Sequence, residues 1–568
     1  MEHSAPFQNL YTESGEKLSG IPWNDYPRPQ LRRRDWLCLN GDWDFETESS
    51  GKSRIRVPFC PECLLSGYSG KLRYGETLHY SRCFTIPESW RGRRVLLHFC
   101  AVSGLSSVRV NGQEVLRGSN AYLPFSADVT RFLTPGGNRL ELDVVNGLDR
   151  VYPIGKMRED RGGMWYTPVS GVWQTVWLEP VPEQYVRALE IHVDLHGADV
   201  TVDGAETGDL LCDGRVYPLV GGHVRIEPDS PKLWTPETPY LYGFKLRCGE
   251  DDVESYFALR TLTVETRHGL PRMCLNGEPL FLHGLLDQGY FSDGLYTPAV
   301  PELYGQDILL MKALGFNMLR KHIKIEPERF YYDCDRLGML VFQDMVNNGE
   351  YRFFRDTLLP TLGFKTLPDG RLNPDARTRE AFLEAMSGTV RHLRNHPCIC
   401  GWTIFNEGWG QFNADAAYDA LRAMDNSRFI DATSGWFRQK KSDVESLHVY
   451  FGKLHLGTRR DMPQFLSEFG GYVFKLAEHS FNPKKTYGYR LFRTRESFSA
   501  ALRTVYTEQI VPLARKGLCG AVYTQVSDVE DETNGLLTYD RRVCKVSPDE
   551  LKDIAAALQA AVKGEDEP

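Results

Sequence analysis

The sequence predicts a multidomain β plus α/β protein: two successive β-sandwiches, the second immunoglobulin-like, followed by a C-terminal (β/α)8 TIM barrel. Three observations predict it. From 36 to 181, short strands are separated by turn signals about every ten residues, the spacing of an all-β sandwich. A second β stretch, 186 to 265, has the size of an immunoglobulin-like sandwich. After residue 267, short strands alternate with segments of helical period, the signature of repeated βα units. The expected domains are therefore 1–181, 182–266 and 267–568.

In the first domain the clearest strands are 95–99, 107–110 with Asn111-Gly112 as its turn, and 140–145. Trp173 and Trp177 alternate with smaller residues and are expected in that domain's core. In the second domain 188–193, 223–226 and 255–260 read as strands, with Pro231, Pro236 and Pro239 punctuating the loops. The barrel strands are expected at 279–283, 316–320, 340–344, 399–405, 429–433, 446–450, 464–467 and 520–524, and eight parallel strands close into a barrel. Among the helices, 379–394 places Phe382, Leu383, Met386, Val390 and Leu393 on one face. Ser547 with Glu550 three residues on forms a capping box ahead of Leu551, Ile554 and Leu558. The polar stretch 470–495 reads as a long loop at the active site, and Glu565-Asp566-Glu567 as a frayed acidic end.

Composition excludes several function classes. Hydrophobic residues are 42% and charged residues 25% of the 568, enough apolar surface to build cores. The apolar runs, such as 398–405, fall well short of the roughly 18 residues of a membrane span. With 67 Lys and Arg against 75 Asp and Glu, the net charge is −8 and no basic block marks a nucleic-acid partner. Thirteen scattered cysteines, and no basic-then-apolar leader in the first thirty residues, fit a cytoplasmic protein with reduced thiols. Cys60-Pro61-Glu62-Cys63 has no second ligand pair nearby and reads as two part-buried loop thiols.

The active site of such a barrel lies at the carboxyl ends of its strands. The polar residues there are His283 and Asp287 after the first strand, Arg320 and His322 at the second, Asp344 at the third, and Asn406 and Glu407 at the fourth. Trp436 follows the fifth, His448 and Tyr450 mark the sixth, Glu468 the seventh and Gln525 the eighth. The set is rich in carboxylates and has no obvious nucleophilic Ser or Cys. Glu407 and Glu468 end strands that face each other across the mouth, which suits the paired carboxylates of glycoside hydrolysis. Arg320 either contacts substrate or bridges to Asp344; Asp287 either binds a hydroxyl or caps its loop. The histidines are expected to bond sugar hydroxyls or orient carboxylates, so neither a metal nor a cofactor is expected. The acidic run 528–532 reads as a solvated loop at the mouth.

Asn406-Glu407-Gly408-Trp409-Gly410-Gln411 closely resembles the corresponding motif of glycoside hydrolase family 2, the family of β-galactosidases, β-glucuronidases and β-mannosidases. So do Tyr26-Pro27-Arg28-Pro29-Gln30, Leu39-Asn40-Gly41-Asp42-Trp43, the segment from Ser170 to Leu178, and Asp287-Gln288-Gly289-Tyr290. The resemblance spans nearly the whole chain and implies a sugar-binding-like jelly roll as the first domain. It implies that Glu407 is the general acid/base and that Glu468, in Ser467-Glu468-Phe469-Gly470-Gly471, is the nucleophile. An ionised Glu468 would raise the pKa of Glu407 by like-charge repulsion. Asn406 resembles the residue that bonds the sugar 2-hydroxyl, and Tyr450 the tyrosine that supports the nucleophile. Trp409 and Trp436 are candidates to offer flat faces to the sugar or leaving group.

The implied activity is that of a retaining exo-β-glycosidase on an oligosaccharide or glycoside, with β-galactosides favoured by family frequency. A β-glucuronide, β-galacturonide or β-mannoside remains an alternative, as does a non-catalytic carbohydrate-binding protein; homo-oligomerisation is left open. Three segments depart from the family pattern. His283-Gly284-Leu285-Leu286 replaces Arg-Gly-Val-Asn, Arg320-Lys321-His322 has its histidine two residues on, and Tyr523-Thr524-Gln525 carries no tryptophan. An Asn-x-Lys pair after the last strand is not evident, which lowers uronic acids, although Arg320 and Lys321 could pair a carboxylate.

Overall fold

A computed structural model describes residues 7–364 and 367–564; the acidic end at 565–567 lies outside the described residues. The first domain is built from two antiparallel sheets. One has six strands, running in space from Gly51–Val57 through Gly41–Thr47, Thr77–Thr85, Gly137–Val145 and Leu105–Val110 to Gln113–Gly118. The other has four: Leu37–Cys38, Val176–Val181, Arg94–Phe99 and Phe125–Asp128. Strand Gly41–Thr47 alternates strictly between buried and exposed residues, so Trp43 and Phe45 enter the shared core while Asp42 and Asp44 face water.

The same alternation corrects one expectation. Val172, Val176 and Leu178 point into the sandwich, so Trp173 and Trp177 face outward from it. Trp173 packs edge-on against Tyr296 of the barrel and donates its indole N–H to Ala121, and Trp177 stacks on His98. Both are fully buried, as cement around the domain rather than as its core.

The middle domain is one seven-stranded antiparallel sheet in the order Ala188–Val193, Ala198–Asp203, His223–Ile226, Arg215–Val220, Thr207–Cys212, Tyr242–Cys248, Asp251–Phe257. Its two halves meet through a single residue pair, Val220 with His223, and both halves feed one core containing Val200, Ile226, Leu210 and Phe244.

The barrel strands are β1 (Leu282–Asp287), β2 (Met318–Lys321), β3 (Leu340–Asp344), β4 (Ile399–Asn406), β5 (Phe429–Ser434), β6 (Glu445–Val449), β7 (Gln464–Gly470) and β8 (Leu518–Thr524). Neighbours run parallel in sequential order, with β1 beside β8. Among the described residues β5 and β6 share no backbone ladder, and side chains bind that seam instead: the Ser446 hydroxyl lies 2.7 Å from Asp431. No helix joins β5 to β6 or β6 to β7; the loops 435–444 and 450–463 do.

The first barrel strand begins three residues later than expected. Asn276 and Gly277 take positive φ values of 55° and 81° and close a tight hairpin, which pairs Glu278–Pro279 back onto Leu270–Leu275. His283 consequently sits at the amino-terminal end of β1. Helix Ala376–Leu393 starts early because the Asp375 carboxylate caps Arg377; its Phe382, Met386, Val390 and Leu393 are buried, and Leu383 is left 36% exposed. The Ser547–Glu550 capping box is present ahead of Pro548–Lys563. Segment 470–495 is irregular apart from the paired strands Tyr472–Phe474 and Arg490–Phe492. Cys60 and Cys63 are fully rather than partly buried, and all thirteen cysteines are unpaired. No helix among the described residues is long and apolar enough to cross a membrane.

Candidate active site

Glu468 lies in the carboxyl-terminal half of β7 with both carboxylate oxygens engaged. Oε1 accepts from Arg320 at 3.0 Å, and Oε2 accepts from the Tyr450 hydroxyl. Burial pushes the carboxyl pKa up, but His448, Arg320 and His322 outweigh it and hold it down at about 2, so Glu468 is ionised at neutral pH. Arg320, on β2, is wholly buried and four of its five N–H donors are engaged: Nε to Asp344 at 2.9 Å, one terminal nitrogen to Glu468 and the Ser467 carbonyl, the other to Asn406 Oδ1 at 2.8 Å. Arg320 thus forms the salt bridge to Asp344 and anchors the site from within.

Glu407 follows β4 in a left-handed conformation, φ 50°, with its N–H bonded to the Ser434 carbonyl. The next residue must be glycine: at Gly408 a Cβ would lie 2.1 Å from the Phe437 ring. This turn aims the Glu407 carboxyl at His448, whose Nδ1 lies 2.8 Å from Oε1. His448 Nε2 is 3.0 Å from the Ser434 hydroxyl and 3.5 Å from Glu468. A carboxylate oxygen of Glu407, one of Glu468 and a ring nitrogen of His448 lie within 4.8 Å of one another. Each of the three already has a hydrogen-bond partner, an arrangement made for proton transfer.

Asn406 lines the same space. Since a guanidinium only donates, the Arg320 bond fixes the amide with its oxygen inward and its nitrogen left as a donor. Tyr450 stacks on Tyr489 with ring centres 3.8 Å apart. Trp436 lies 5.5 Å from the His448 ring. Trp409 donates its N–H to the Gly349 carbonyl and meets Trp165 edge-on. His322 is bound through Nδ1 to Asp344 at 2.8 Å; burial and the Lys156 charge lower its pKa to about 4, so the ring is neutral.

Two expected site residues are not brought there. His283 hydrogen-bonds the Gly315 carbonyl and packs against Phe316 and Tyr506, because the late start of β1 leaves it at the wrong end of the barrel. Asp287 points away from the mouth: it caps Gly289 and binds Lys321 at 2.6 Å. Lys321 is fully buried between Asp287 and Glu326, so neither it nor Arg320 is available to a substrate carboxylate.

The acidic run is also corrected. Asp528, Glu530 and Glu532 are 1 to 4% exposed: a loop of the first domain covers Glu530 and Glu532, and the barrel's own Lys545 and Gly535 hold Asp528. Arg161 pairs with Glu530, the Tyr166 hydroxyl donates to Glu532, and Lys545 pairs with Asp528 at 2.6 Å. That loop also carries Trp165 and Lys156, whose ammonium has no hydrogen-bond or carboxylate partner among the described residues and whose charge acts on His322 and Glu532. Sequence reading missed Tyr489, within the long loop 470–495, and also Trp165 and Lys156, since nothing local ties a sandwich loop to a barrel mouth more than 150 residues away in the chain.

Two family patterns match the chain: "Glycosyl hydrolases family 2, sugar binding domain" over residues 71–182 and "Glycosyl hydrolases family 2, TIM barrel domain" over 270–462. A β-galactosidase of Aeromonas hydrophila subsp. hydrophila is 30% identical over 403 residues, covering 64% of this chain and 36% of that protein. One from Pseudoalteromonas haloplanktis is 26% identical over 470 residues, covering 77% and 41%. The chain thus spans less than half the length of these curated relatives. Among solved structures, a β-D-glucuronidase of Dictyoglomus thermophilum superposes with a TM-score of 0.71 at 19% identity, covering 95% of this chain and 99% of that one. At that identity the likeness speaks for the fold.

Proposed function

Because the chain belongs to glycoside hydrolase family 2, we propose that it is a retaining exo-β-glycosidase, with Glu468 as nucleophile and Glu407 as acid/base. The observation that carries this reading is the approach of the two carboxylates, oxygen to oxygen, within 4.8 Å. Retaining enzymes hold their carboxyl groups about 5 to 5.5 Å apart, whereas inverting ones leave about 6.5 to 9.5 Å for a water.

In the first step Glu468, ionised and oriented by Arg320 and Tyr450, attacks the anomeric carbon while Glu407 protonates the departing oxygen. In the second, Glu407 takes a proton from water, which hydrolyses the glycosyl-enzyme. Asn406 donates its amide N–H to the 2-hydroxyl. Trp409, Trp436 and Tyr489 form the aromatic walls, and the first domain's loop closes one side of the mouth, which supports action on terminal sugars.

For the glycone we favour β-galactose, the activity named for the relatives above. One observation favours a second reading, a β-glucuronide or β-galacturonide: Lys156, whose ammonium has no carboxylate partner among the described residues, could pair a uronate once Arg320 and Lys321 are excluded. β-Mannosides complete the alternatives. A panel of chromogenic β-glycosides tests the reading: hydrolysis of the galactoside supports it, preference for a uronide that is lost in Lys156→Ala supports the second, and inertness to all of them favours a non-catalytic carbohydrate-binding protein. Residues 1–181 are assigned in the same reading to a jelly roll, 182–266 to an immunoglobulin-like sandwich and 267–568 to the catalytic barrel. Thirteen unpaired cysteines support a reducing, cytoplasmic setting.

A further inference from the structure

Away from the barrel mouth, all three domains converge on a cleft of about 640 Å³. Its walls come from the segment 23–36, Gln174 and Thr175 of the first domain, from 254–256 of the middle domain, and from the helices Glu328–Leu337 and Ala376–Leu393 of the barrel's outer ring. No residue assigned above to the catalytic site lines it. Pockets that hold small molecules span about 300 to 1,000 Å³ and favour domain boundaries, and this cleft meets both conditions.

The walls leave a matched set of polar groups unused. Gln174 is 5% exposed, and its amide nitrogen has no hydrogen-bond partner among the described residues. The Glu328 carboxylate accepts no hydrogen bond from them; His392 Nδ1 stands 3.9 Å from it, outside bonding distance. The His392 ring and the indole N–H of half-buried Trp36 have no hydrogen-bond partner among those residues either. Two donors, one acceptor and an imidazole in one cleft suit a partner that both donates and accepts.

The charges around these groups are balanced. Asp25 pairs with Arg329 at 2.8 Å and Glu254 with Lys245 at 2.8 Å, which leaves one anion, Glu328, and one exposed cation, Arg32. A multiply charged ligand meets no complementary field here, whereas a neutral one needs none. Flat apolar surfaces are abundant: Trp36 meets Tyr26 edge-on at 5.7 Å, Tyr332 meets Tyr256 at 5.3 Å, and five prolines lie beside them. Sugar hydroxyls donate and accept, and the C–H faces of a pyranose pack on flat rings.

We propose that this cleft is a second, non-catalytic saccharide site, which binds a neutral oligosaccharide through Gln174, Glu328, His392 and Trp36, with Tyr332 as a platform. The site is separate from the mouth and stands whether or not the mouth hydrolyses glycosides.

The test is calorimetric titration of Glu468→Gln, used so that the probes stay intact, with lactose, cellobiose and β-1,4-mannobiose. At least one disaccharide should bind. Gln174→Leu or Tyr332→Ala, added to that protein, should weaken this binding by about tenfold or more, the worth of one or two lost contacts. On the wild-type background the same substitutions should leave kcat/KM for a chromogenic glycoside within about twofold, since cleft and mouth share no residue. Crystals of Glu468→Gln soaked in the same disaccharide should show it in the cleft, and Glu328→Ala replaces either cleft variant should that one not fold. No binding of any of the three sugars overturns the proposal. So does binding that the cleft substitutions leave unchanged, which would put the sugar at the mouth alone, and so does density in the cleft without measurable affinity in solution. A wild type inert to every glycoside overturns the glycosidase reading instead, because binding to the cleft is read without turnover.

Discussion

His448 joins the two glutamates of the barrel mouth: its Nδ1 lies 2.8 Å from Glu407 Oε1 and its Nε2 3.5 Å from Glu468 Oε1. The ring holds this place because Gly435 yields it. A Cβ at Gly435 would lie 2.7 Å from the imidazole, on a backbone with φ 86°. Gly435→Ala should therefore displace His448 and lower kcat by about tenfold or more with KM little changed, as steady-state kinetics on an active glycoside would show.

Arg320 binds Glu468 and Asn406 and is wholly buried, out of reach of a sugar, so its removal should act through Glu468. In Arg320→Gln the nearest cation is gone, and the Glu468 pKa, held at about 2, rises. Since attack needs the ionised form, the lower limb of the kcat/KM profile should move up by about one pH unit or more, and kcat should fall further than KM rises. An unchanged lower limb with a raised KM would mark a direct substrate contact.

His283 should behave as a packing residue. His283→Asn loses ring contacts with Phe316 and Tyr506 and should cost about 1 to 3 kcal/mol of stability, read by thermal or urea unfolding, while kcat/KM stays within about twofold. His322 sits at the other end of the barrel, against Asp344, and the same substitution there should lower kcat/KM instead.

Glu328 gives the fold a pH dependence of known sign. Burial raises its pKa to about 7, with its carboxylate 3.9 Å from His392. Below about pH 4.5 the group is protonated in both folded and unfolded chains. As pH rises from there to 7 the unfolded chain ionises first, and the fold loses up to about 3 kcal/mol. Glu328→Gln should leave the melting temperature unchanged at pH 4 and raise it most at pH 8.

The barrel and its two glutamates were legible because each is written locally: apolar strands end in polar residues, and a capping box or an Asn-Glu-Gly turn needs only a few neighbours. Misreadings arose where distant chain decides. Asn276-Gly277 shortened β1 at its start and carried His283 to the wrong end, although that turn signal stood in the sequence. The run 528–532 looked solvated because the first-domain loop that covers Glu530 and Glu532 lies more than 350 residues earlier. Trp173 and Trp177 alternate as core residues do, and only the register of their strand shows that the opposite face enters the core. Arg320 offered two readings in the sequence, and its four partners on three strands decide for the anchor.

Glu407→Ala separates the two chemical roles. Without the acid, glycosides with poor leaving groups should lose turnover by about 10²- to 10⁴-fold, while 2,4-dinitrophenyl glycosides, which need little protonation, keep a rapid first step. Azide, which needs no general base, should then restore turnover and yield the β-glycosyl azide.

The central claim is that Glu468 forms a covalent bond to the sugar. A 2-deoxy-2-fluoro β-glycoside with an activated leaving group slows both steps by destabilising the oxocarbenium-like transition state, yet lets the first proceed, so the intermediate accumulates. Intact and peptide mass spectrometry should find one fluoroglycosyl group per chain, on the peptide that contains Glu468, and none in Glu468→Gln. A label on any other residue, or a Glu468→Gln protein that still turns over at the wild-type rate, would contradict the account.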